Sequence, residues 1–186
     1  MKFKSLKVVL IALTTTLVSF SALATSEEAK DKAERIEKDV NDVFQRALVS
    51  AVAQLNEKME VQPFSVAKKV DGAVMLYLLG DTEKNKNLSH DERVSGVRKK
   101  LLDLAAKNEI VATAQVMYAV VVDKKTEKQS QGLTFEIEHK DGLSIVRFLP
   151  VKHILDENGK ETGKLDLQTQ FLSTASKPKV IFAFSQ

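Results

Sequence analysis

The stretch from Ile110 to Val122, IVATAQVMYAVVV, constrains the fold more than any other part of the chain. Read with the two-residue period of a strand, both of its faces are mostly apolar, and it is rich in the β-branched residues that favour strands. A strand that is apolar on both faces must be covered on both, whereas a half-exposed strand alternates between apolar and polar residues. The stretch is therefore predicted to be a central strand, with packed layers above and below it.

Residues 1–24 have the pattern of a cleavable signal peptide. Lysines in Met1–Lys7 precede a mostly apolar run, Val8–Val18, which is too short to span a bilayer comfortably, and the small residues Ala22 and Ala24 close the segment. We expect cleavage after Ala24, export to a periplasm or to the medium, and no membrane span in the rest of the chain. The alternative is an uncleaved N-terminal anchor.

The composition of residues 25–186 argues against several classes of protein. The leader holds three of the 28 Lys and Arg residues and none of the 25 Asp and Glu residues, so the rest has a formal net charge of zero. A neutral domain lacks the field that draws basic proteins onto nucleic acid, and we expect no nucleic-acid binding. The chain has no cysteine, so a single domain stabilised by its hydrophobic core is expected.

Residues 25–60 are predicted to form one long amphipathic helix. Apolar residues recur at three- and four-residue spacing from Ala33 to Met59, and Pro63 prevents the helix from continuing. The first part, Ser26–Lys38, is strongly charged with a narrow apolar stripe. This part either projects to pair with another chain or, as we favour, continues a stripe that covers the sheet.

Local signals then predict a hairpin and a second helix. Asp71-Gly72 is a turn pair suited to a tight hairpin, and Lys68-Lys69 is interpreted as the exposed end of an edge strand. Ser89 and Glu92 have the spacing of a capping box, which predicts the start of the second helix. Its basic group is interpreted as a solvated face, with an acidic partner as the alternative. The group comprises Arg93, Arg98, Lys99 and Lys100.

Five strands are predicted after this helix, beginning with the central one. A half-exposed strand at 133–139 turns at Asp141-Gly142 into an apolar strand at 143–149, and further strands follow at 165–171 and 180–184. The order indicates an α+β domain with a mostly antiparallel sheet of six to seven strands, packed by two helices. It resembles the element order of PAS- and profilin-like domains, from which the long first helix and the extra strands depart.

The residues suited to chemistry do not form a recognisable site. Histidine and carboxylate ligands occur at Glu136, Glu138, His139 and His153, but both glutamates point to one face of a strand and His139 to the other. The sequence contains neither a nucleophile-elbow motif nor a glycine-rich phosphate loop. We therefore predict no catalysis, no metal and no cofactor.

Arg147 interrupts an otherwise apolar strand and is the strongest candidate for ligand binding. Its planar guanidinium would suit a carboxylate in a pocket between sheet and helix. The further lining residues would be Tyr77, Met117, Tyr118 and Phe135. The alternative, which we favour, places Arg147 on the solvent face beside Glu136 or Glu138.

Two classes of function remain. The first is an exported, non-enzymatic domain that binds a protein partner, for example an immunity or inhibitor protein that neutralises a toxin or hydrolase. The alternative is a small-ligand sensor or carrier. A contiguous exposed apolar patch would favour the first, and a pocket of roughly a few hundred Å³ with convergent polar groups the second.

Overall fold

A long helix, α1 (Glu27–Lys58), opens the computed structural model, which describes residues 27–58, 60–80, 82, 84–122, 127, 129–158, 161–167 and 173–183. The helix lies within 25–60, where one long helix was expected, and ends before Glu60; its acidic first turn is favourable at a helix N-terminus. The predicted leader lies outside the described residues. Among the residues described, no helix has the length and apolarity that crossing a bilayer requires.

Seven strands and a second helix follow in the described chain. In order they are β1 (Phe64–Lys69), β2 (Val74–Leu78), α2 (His90–Ala106), β3 (Ile110–Val122), β4 (Gln129–His139), β5 (Ser144–Leu155), β6 (Glu161–Leu167) and β7 (Ser173–Ser176). The α+β class is therefore confirmed. α2 begins at the predicted capping box, in which the Ser89 amide donates to Glu92 Oε2 (2.7 Å) and the Glu92 amide to Ser89 Oγ (3.3 Å).

The strands pair in the order β2-β1-β3-β4-β5, and every pairing is antiparallel. The two short strands share the outer edge of β5: β7 pairs with its first half and β6 with its second half. β3 pairs with β1 on one side and with β4 on the other, along its whole length in the case of β4. The stretch predicted to be central is therefore the middle of the sheet.

The two helices cover opposite faces of the first part of β3, but the coverage predicted for the whole strand is wrong at its end, where Val120, Val121 and Val122 are exposed. Ala112, Ala114 and Val116 are fully buried in one cluster with the apolar side chains of α1. Gln115, at an intervening position, accepts a hydrogen bond from Arg98 of α2 (3.2 Å) and donates one to the Val94 carbonyl (3.2 Å). Because successive side chains of a strand point to opposite faces, the sheet has an α1 face and an α2 face.

Both predicted Asp-Gly hairpins are present. Between β1 and β2 the Lys69 amide donates to the Ala73 carbonyl (2.8 Å), and Gly72 takes a φ of 89°, which glycine adopts without strain. Between β4 and β5 the His139 amide donates to the Leu143 carbonyl (2.8 Å). The two turns lie at the same end of the sheet, because β1 and β4 both run antiparallel to β3.

Two of the predicted strands differ in the structure. The strand expected at 165–171 is present as β6, which ends at Leu167, and residues 168–172 lie outside the described part. The strand expected at 180–184 is wrong, because residues 181–183 form a turn. The amides there donate to a buried carboxylate instead of to a neighbouring strand. We call residues 177–183 the C-terminal segment.

Candidate functional site

An open cleft of about 420 Å³ lies between α1 and the two hairpin turns. Arg35 and Asp39 of α1 line one side of it, and the rest of the lining comes mainly from 68–72 and 139–141. The cleft therefore lies between helix and sheet, where a ligand pocket was expected, but different residues form it. The charged side chains that line the cleft determine which ligands it could bind.

Lys68 lies inside the domain, and its interpretation as the exposed end of an edge strand is wrong. β1 is an inner strand between β2 and β3, and Lys68 is 8% exposed. Its Nζ lies 2.8 Å from Asp39 Oδ1 and also binds Asp42 Oδ2. Burial acts to lower the pKa of Lys68, but the bonds to the two carboxylates outweigh it and raise the pKa above its ordinary value. The ammonium group is therefore a charged, paired group under the helix.

Asp39 carries a signal that the sequence analysis missed. It lies three residues after Ile36 and four before Val43, on the apolar stripe of the helix, where a carboxylate requires a partner. Burial acts to raise the pKa of Asp39, but the hydrogen bonds from Lys68 and His139 lower it overall. Asp39 is thus a charged group that holds one turn of α1 to β1 and β4.

His139 has both ring nitrogens engaged. The Asp141 amide donates to Nδ1 (3.0 Å), so in the neutral ring the proton lies on Nε2, which faces Asp39 Oδ2 at 3.2 Å. Burial lowers the pKa of His139 below its ordinary value of 6.5, although the two aspartates act in the opposite direction. The cluster therefore links α1 to β4 through hydrogen bonds at both ring nitrogens.

We expect the stability of the protein to fall as the pH drops below about 6.5. The folded state holds His139 with a lowered pKa, so the unfolded chain binds the proton first and is favoured as the pH falls towards the folded pKa. Urea unfolding at pH 7.5, 6.5 and 5.5 measures this slope. It should decrease in His139→Gln and persist in His90→Gln, which changes an exposed histidine. Equal slopes in the unmodified protein, His139→Gln and His90→Gln would contradict the assignment of this pH dependence to His139.

A second charged network lies on the α2 face, around Glu138. This side chain is 2% exposed and accepts the amides of Val180 (2.9 Å), Ile181 (2.8 Å) and Phe182 (3.3 Å), with Lys177 Nζ at 2.9 Å. Burial acts to raise the pKa of Glu138, and these donors lower it below its ordinary value. Glu138 therefore fastens the C-terminal segment to the sheet as a buried anion.

Part of the basic group on α2 also binds within the domain, and Arg98 belongs to the same network as Glu138. Arg98 donates to Glu136 (3.1 Å), and the mostly buried Arg93 donates to the carbonyls of Leu79 (3.1 Å) and Asn85 (2.9 Å). These two arginines bind within the domain, so the interpretation of the whole group as a solvated face is wrong for them. Lys99 and Lys100 are exposed. Glu136 and Glu138 lie on the face opposite His139, as the strand period predicts.

Arg147 and Phe135 lie together on the α1 face. Phe135 is fully buried, edge-on to Phe44 with ring centroids 5.4 Å apart, and the guanidinium carbon of Arg147 lies 4.9 Å from the centroid of the same Phe44 ring. Arg147 is half-buried and pairs in register with Phe135. It is therefore on the face opposite Glu136 and Glu138, and not beside them as we favoured.

The other predicted lining residues are divided between the faces. Tyr118 packs against the α1 cluster and donates its hydroxyl to Gln131 Oε1 (3.0 Å), whereas Tyr77 packs against the α2 cluster. Met117 is half-buried. None of these residues lines the described cleft, nor do Arg147 and Phe135. In the described part of the chain, no three histidine or acidic side chains converge as metal ligands, and the side chain of His153 lies outside that part.

Exposed apolar side chains occur at two places in the described sheet: the end of β3, where Val120, Val121 and Val122 are 53%, 41% and 51% exposed, and β2. β2 pairs with β1 and forms the end of the described sheet, and Met75, Leu76 and Leu78 are 46%, 40% and 43% exposed. Natural edge strands usually carry lysine, proline or a bulge that prevents pairing with other chains. The sequence of β2, VMLYL, contains neither a charge nor a proline. We call Val74–Leu78 the β2 edge.

Comparison of the chain with protein-family models, with curated proteins and with solved structures found no match. Two places in this fold have chemistry that bears on function. One is the charged cleft beneath α1, in which Lys68 pairs with Asp39, Lys69 with Asp71 and Arg35 with Asp141. The other is the β2 edge, in which apolar side chains and backbone groups face outward.

Proposed function

We propose that this protein is an exported, non-enzymatic domain that binds a protein partner through the β2 edge. The observation that carries the proposal is the exposure of Met75, Leu76 and Leu78 on an edge strand without charge. Exposed apolar side chains on a sheet edge are a recurring site of protein binding, because a partner strand gains both backbone hydrogen bonds and apolar contacts.

The opposite end of the sheet supports this reading of the β2 edge. Two strands share that end: β6, ETGKLDL, has charged residues and a glycine, which discourage pairing with another chain, and β7, STAS, is short and polar. Neither of these sequences is wholly apolar, whereas that of the β2 edge is, so the β2 edge is the better suited of the two ends to an apolar contact.

The charged clusters support a non-enzymatic role. Both ring nitrogens of His139 are engaged, and the Glu138 carboxylate is occupied by backbone amides and by Lys177. A general acid or base must reach a substrate proton with a free lone pair or an exposed proton. These groups instead hold α1 and the C-terminal segment on the two faces of the sheet.

A binding experiment with matched variants tests the proposal. The protein without its leader, residues 25–186, would be used to capture its partner from an extract of its own host. The purified partner would then be titrated calorimetrically with each variant. Leu76→Lys and Leu78→Lys should weaken binding by at least about tenfold, because each places a charge in the apolar contact. Val49→Lys is the control, since Val49 on α1 is 60% exposed and apolar but lies outside the β2 edge.

Equal affinity of all three variants for the partner would place the contact elsewhere. Failure to capture any stoichiometric partner would count against the protein-binding function itself. Circular dichroism of each variant distinguishes lost binding from lost folding.

We also propose that the protein is exported, and the pattern of residues 1–24 supports this. A basic start, an apolar run and the small residues at Ala22 and Ala24 are what a signal peptidase recognises. The protein recovered from its host should have the mass of residues 25–186 and lie outside the cytoplasm. The mass of the full chain would support an uncleaved N-terminal segment instead.

The cleft favours a second candidate, a small-ligand carrier. Its volume of about 420 Å³ suits a small molecule, and its lining includes acidic and basic groups. We rank this below protein binding because Lys68, Asp39 and His139 already satisfy one another. Native mass spectrometry of the protein from its host tests the carrier, which should retain an added small-molecule mass.

A further inference from the structure

We infer that the β2 edge pairs with the β2 edge of a second copy of this chain, antiparallel, around a twofold axis at Leu76. The inference rests on the proposed function, because it names one partner of the same surface. It concerns a closed dimer, in which two identical surfaces contact each other.

The backbone amides and carbonyls of β2 point alternately towards β1 and away from the sheet. At the turn, the Lys69 amide donates to the Ala73 carbonyl, so these two residues form a hydrogen-bonded pair of the β1–β2 ladder. Hydrogen-bonded and non-hydrogen-bonded pairs alternate along an antiparallel ladder. With the register of β1 and β2, Met75 and Tyr77 therefore direct their amides and carbonyls towards β1. Those of the intervening residues, Val74, Leu76 and Leu78, face away from the sheet.

The outward backbone groups of one β2 edge can hydrogen-bond to the same groups of a second copy. When a second β2 runs antiparallel with Leu76 opposite Leu76, Val74 lies opposite Leu78 at both ends. Each of these pairs exchanges two backbone hydrogen bonds, so every outward amide and carbonyl of the β2 edge finds a partner. The sheet then continues from one copy into the other without a gap in the ladder.

The side chains and charge of the β2 edge also suit this pairing. Val74, Leu76 and Leu78 pair in register with Lys68, Val66 and Phe64, and all lie on the α1 face. In the dimer they form apolar cross-strand pairs, which stabilise a sheet. Residues 73–80, AVMLYLLG, carry no charge, so no like charges oppose the pairing of identical strands. A foreign strand would need to match this surface, whereas a second copy matches it by symmetry.

The oligomeric state of the processed protein is the first test. A five-residue strand pair is a small interface, for which we expect a monomer–dimer equilibrium that depends on concentration. Sedimentation equilibrium should give a mass that rises towards twice the monomer. Leu76→Lys should weaken the dimer by at least about tenfold, since the symmetry puts two ammonium groups opposite each other. Val49→Lys should leave the equilibrium unchanged.

Single cysteines test the register, because the chain has none of its own. In Leu76→Cys the two introduced thiols face each other, with Cα atoms about 5.5 Å apart, and should form an intermolecular disulfide on mild oxidation. Val74→Cys alone and Leu78→Cys alone should not, because the like positions are about 13 Å apart along the strand. A mixture of these two variants should cross-link to each other.

The outcomes separate this inference from the proposed function. A monomer mass at all concentrations, with no disulfide in Leu76→Cys, overturns the dimer. If that monomer still binds a different protein through the β2 edge, the proposed function stands and the edge serves another chain. A dimer that cross-links in Val74→Cys alone would overturn the axis at Leu76. Cross-linking in the predicted pattern supports the inference even if Leu76→Lys fails to fold.

Discussion

Replacing Glu138 with glutamine is expected to lower the free energy of unfolding by about 3 kcal/mol. The buried carboxylate accepts the amides of Val180, Ile181 and Phe182 and pairs with Lys177. An amide side chain of the same shape removes the charge and turns one acceptor into a donor, so buried N–H groups are left without a partner. Urea unfolding followed by circular dichroism at pH 7 measures the loss.

Glu136→Gln is the matched control for this prediction. Glu136 is on the same strand and the same face and also binds Lys177, at 2.9 Å, but its side chain is more exposed to solvent. We expect a loss of about 1 kcal/mol, because water screens a partly exposed pair. Equal losses for the two variants would contradict the role of Glu138 as a buried anion. Increased proteolysis within the C-terminal segment of Glu138→Gln would show directly that this segment has been released.

Lys68→Met is expected to destabilise the protein by about 3 kcal/mol. Methionine fills similar space, but the substitution removes the cation that Asp39 faces at 2.8 Å and leaves the Asp39 carboxylate nearly buried beside His139. Breaking a buried pair from one side leaves an uncompensated charge, which costs more than the pair contributes. Chemical unfolding at pH 7 measures the change.

Lys69→Met is the control, and it changes the next lysine along β1. Its Nζ is 3.7 Å from Asp71 and both side chains are partly exposed, so we expect a change below about 1 kcal/mol. Asp39→Asn added to Lys68→Met should recover part of the stability, because the stranded charge is removed. A loss in the double variant equal to the sum of the single losses would mean that Lys68 and Asp39 do not interact.

The elements of the fold were predictable wherever their signals are local. The period of Ile110–Val122, the Asp-Gly turns and the Ser89–Glu92 spacing each concern residues a few positions apart, and the structure confirms all of them. The strand expected at 180–184 failed for the opposite reason. Its pattern is apolar, but its amides are held by Glu138, more than forty residues earlier.

The charged clusters were not predictable, because their members are distant in the chain. His139 and Asp39 are 100 residues apart, and Lys68 and Asp42 are 26 apart. A pattern read along one strand assigns Lys68 to a strand end and His139 to the face opposite the glutamates, and it contains no information about the α1 carboxylate that binds both. The mismatch of Asp39 with the apolar stripe of α1 was the one available signal.

The amino-acid pattern alone determined the α+β class, the central strand and the turns, because backbone conformation and the alternation of apolar side chains follow from neighbouring residues. The tertiary structure decided which strand is the edge. β2, VMLYL, is the more apolar of the two hairpin strands and is nevertheless the edge, because β3 pairs with β1 across more than forty residues of chain. That pairing buries Lys68 and leaves Leu76 exposed. The charged cluster and the candidate binding edge therefore both depend on contacts between residues distant in the chain, which patterns of neighbouring residues do not predict.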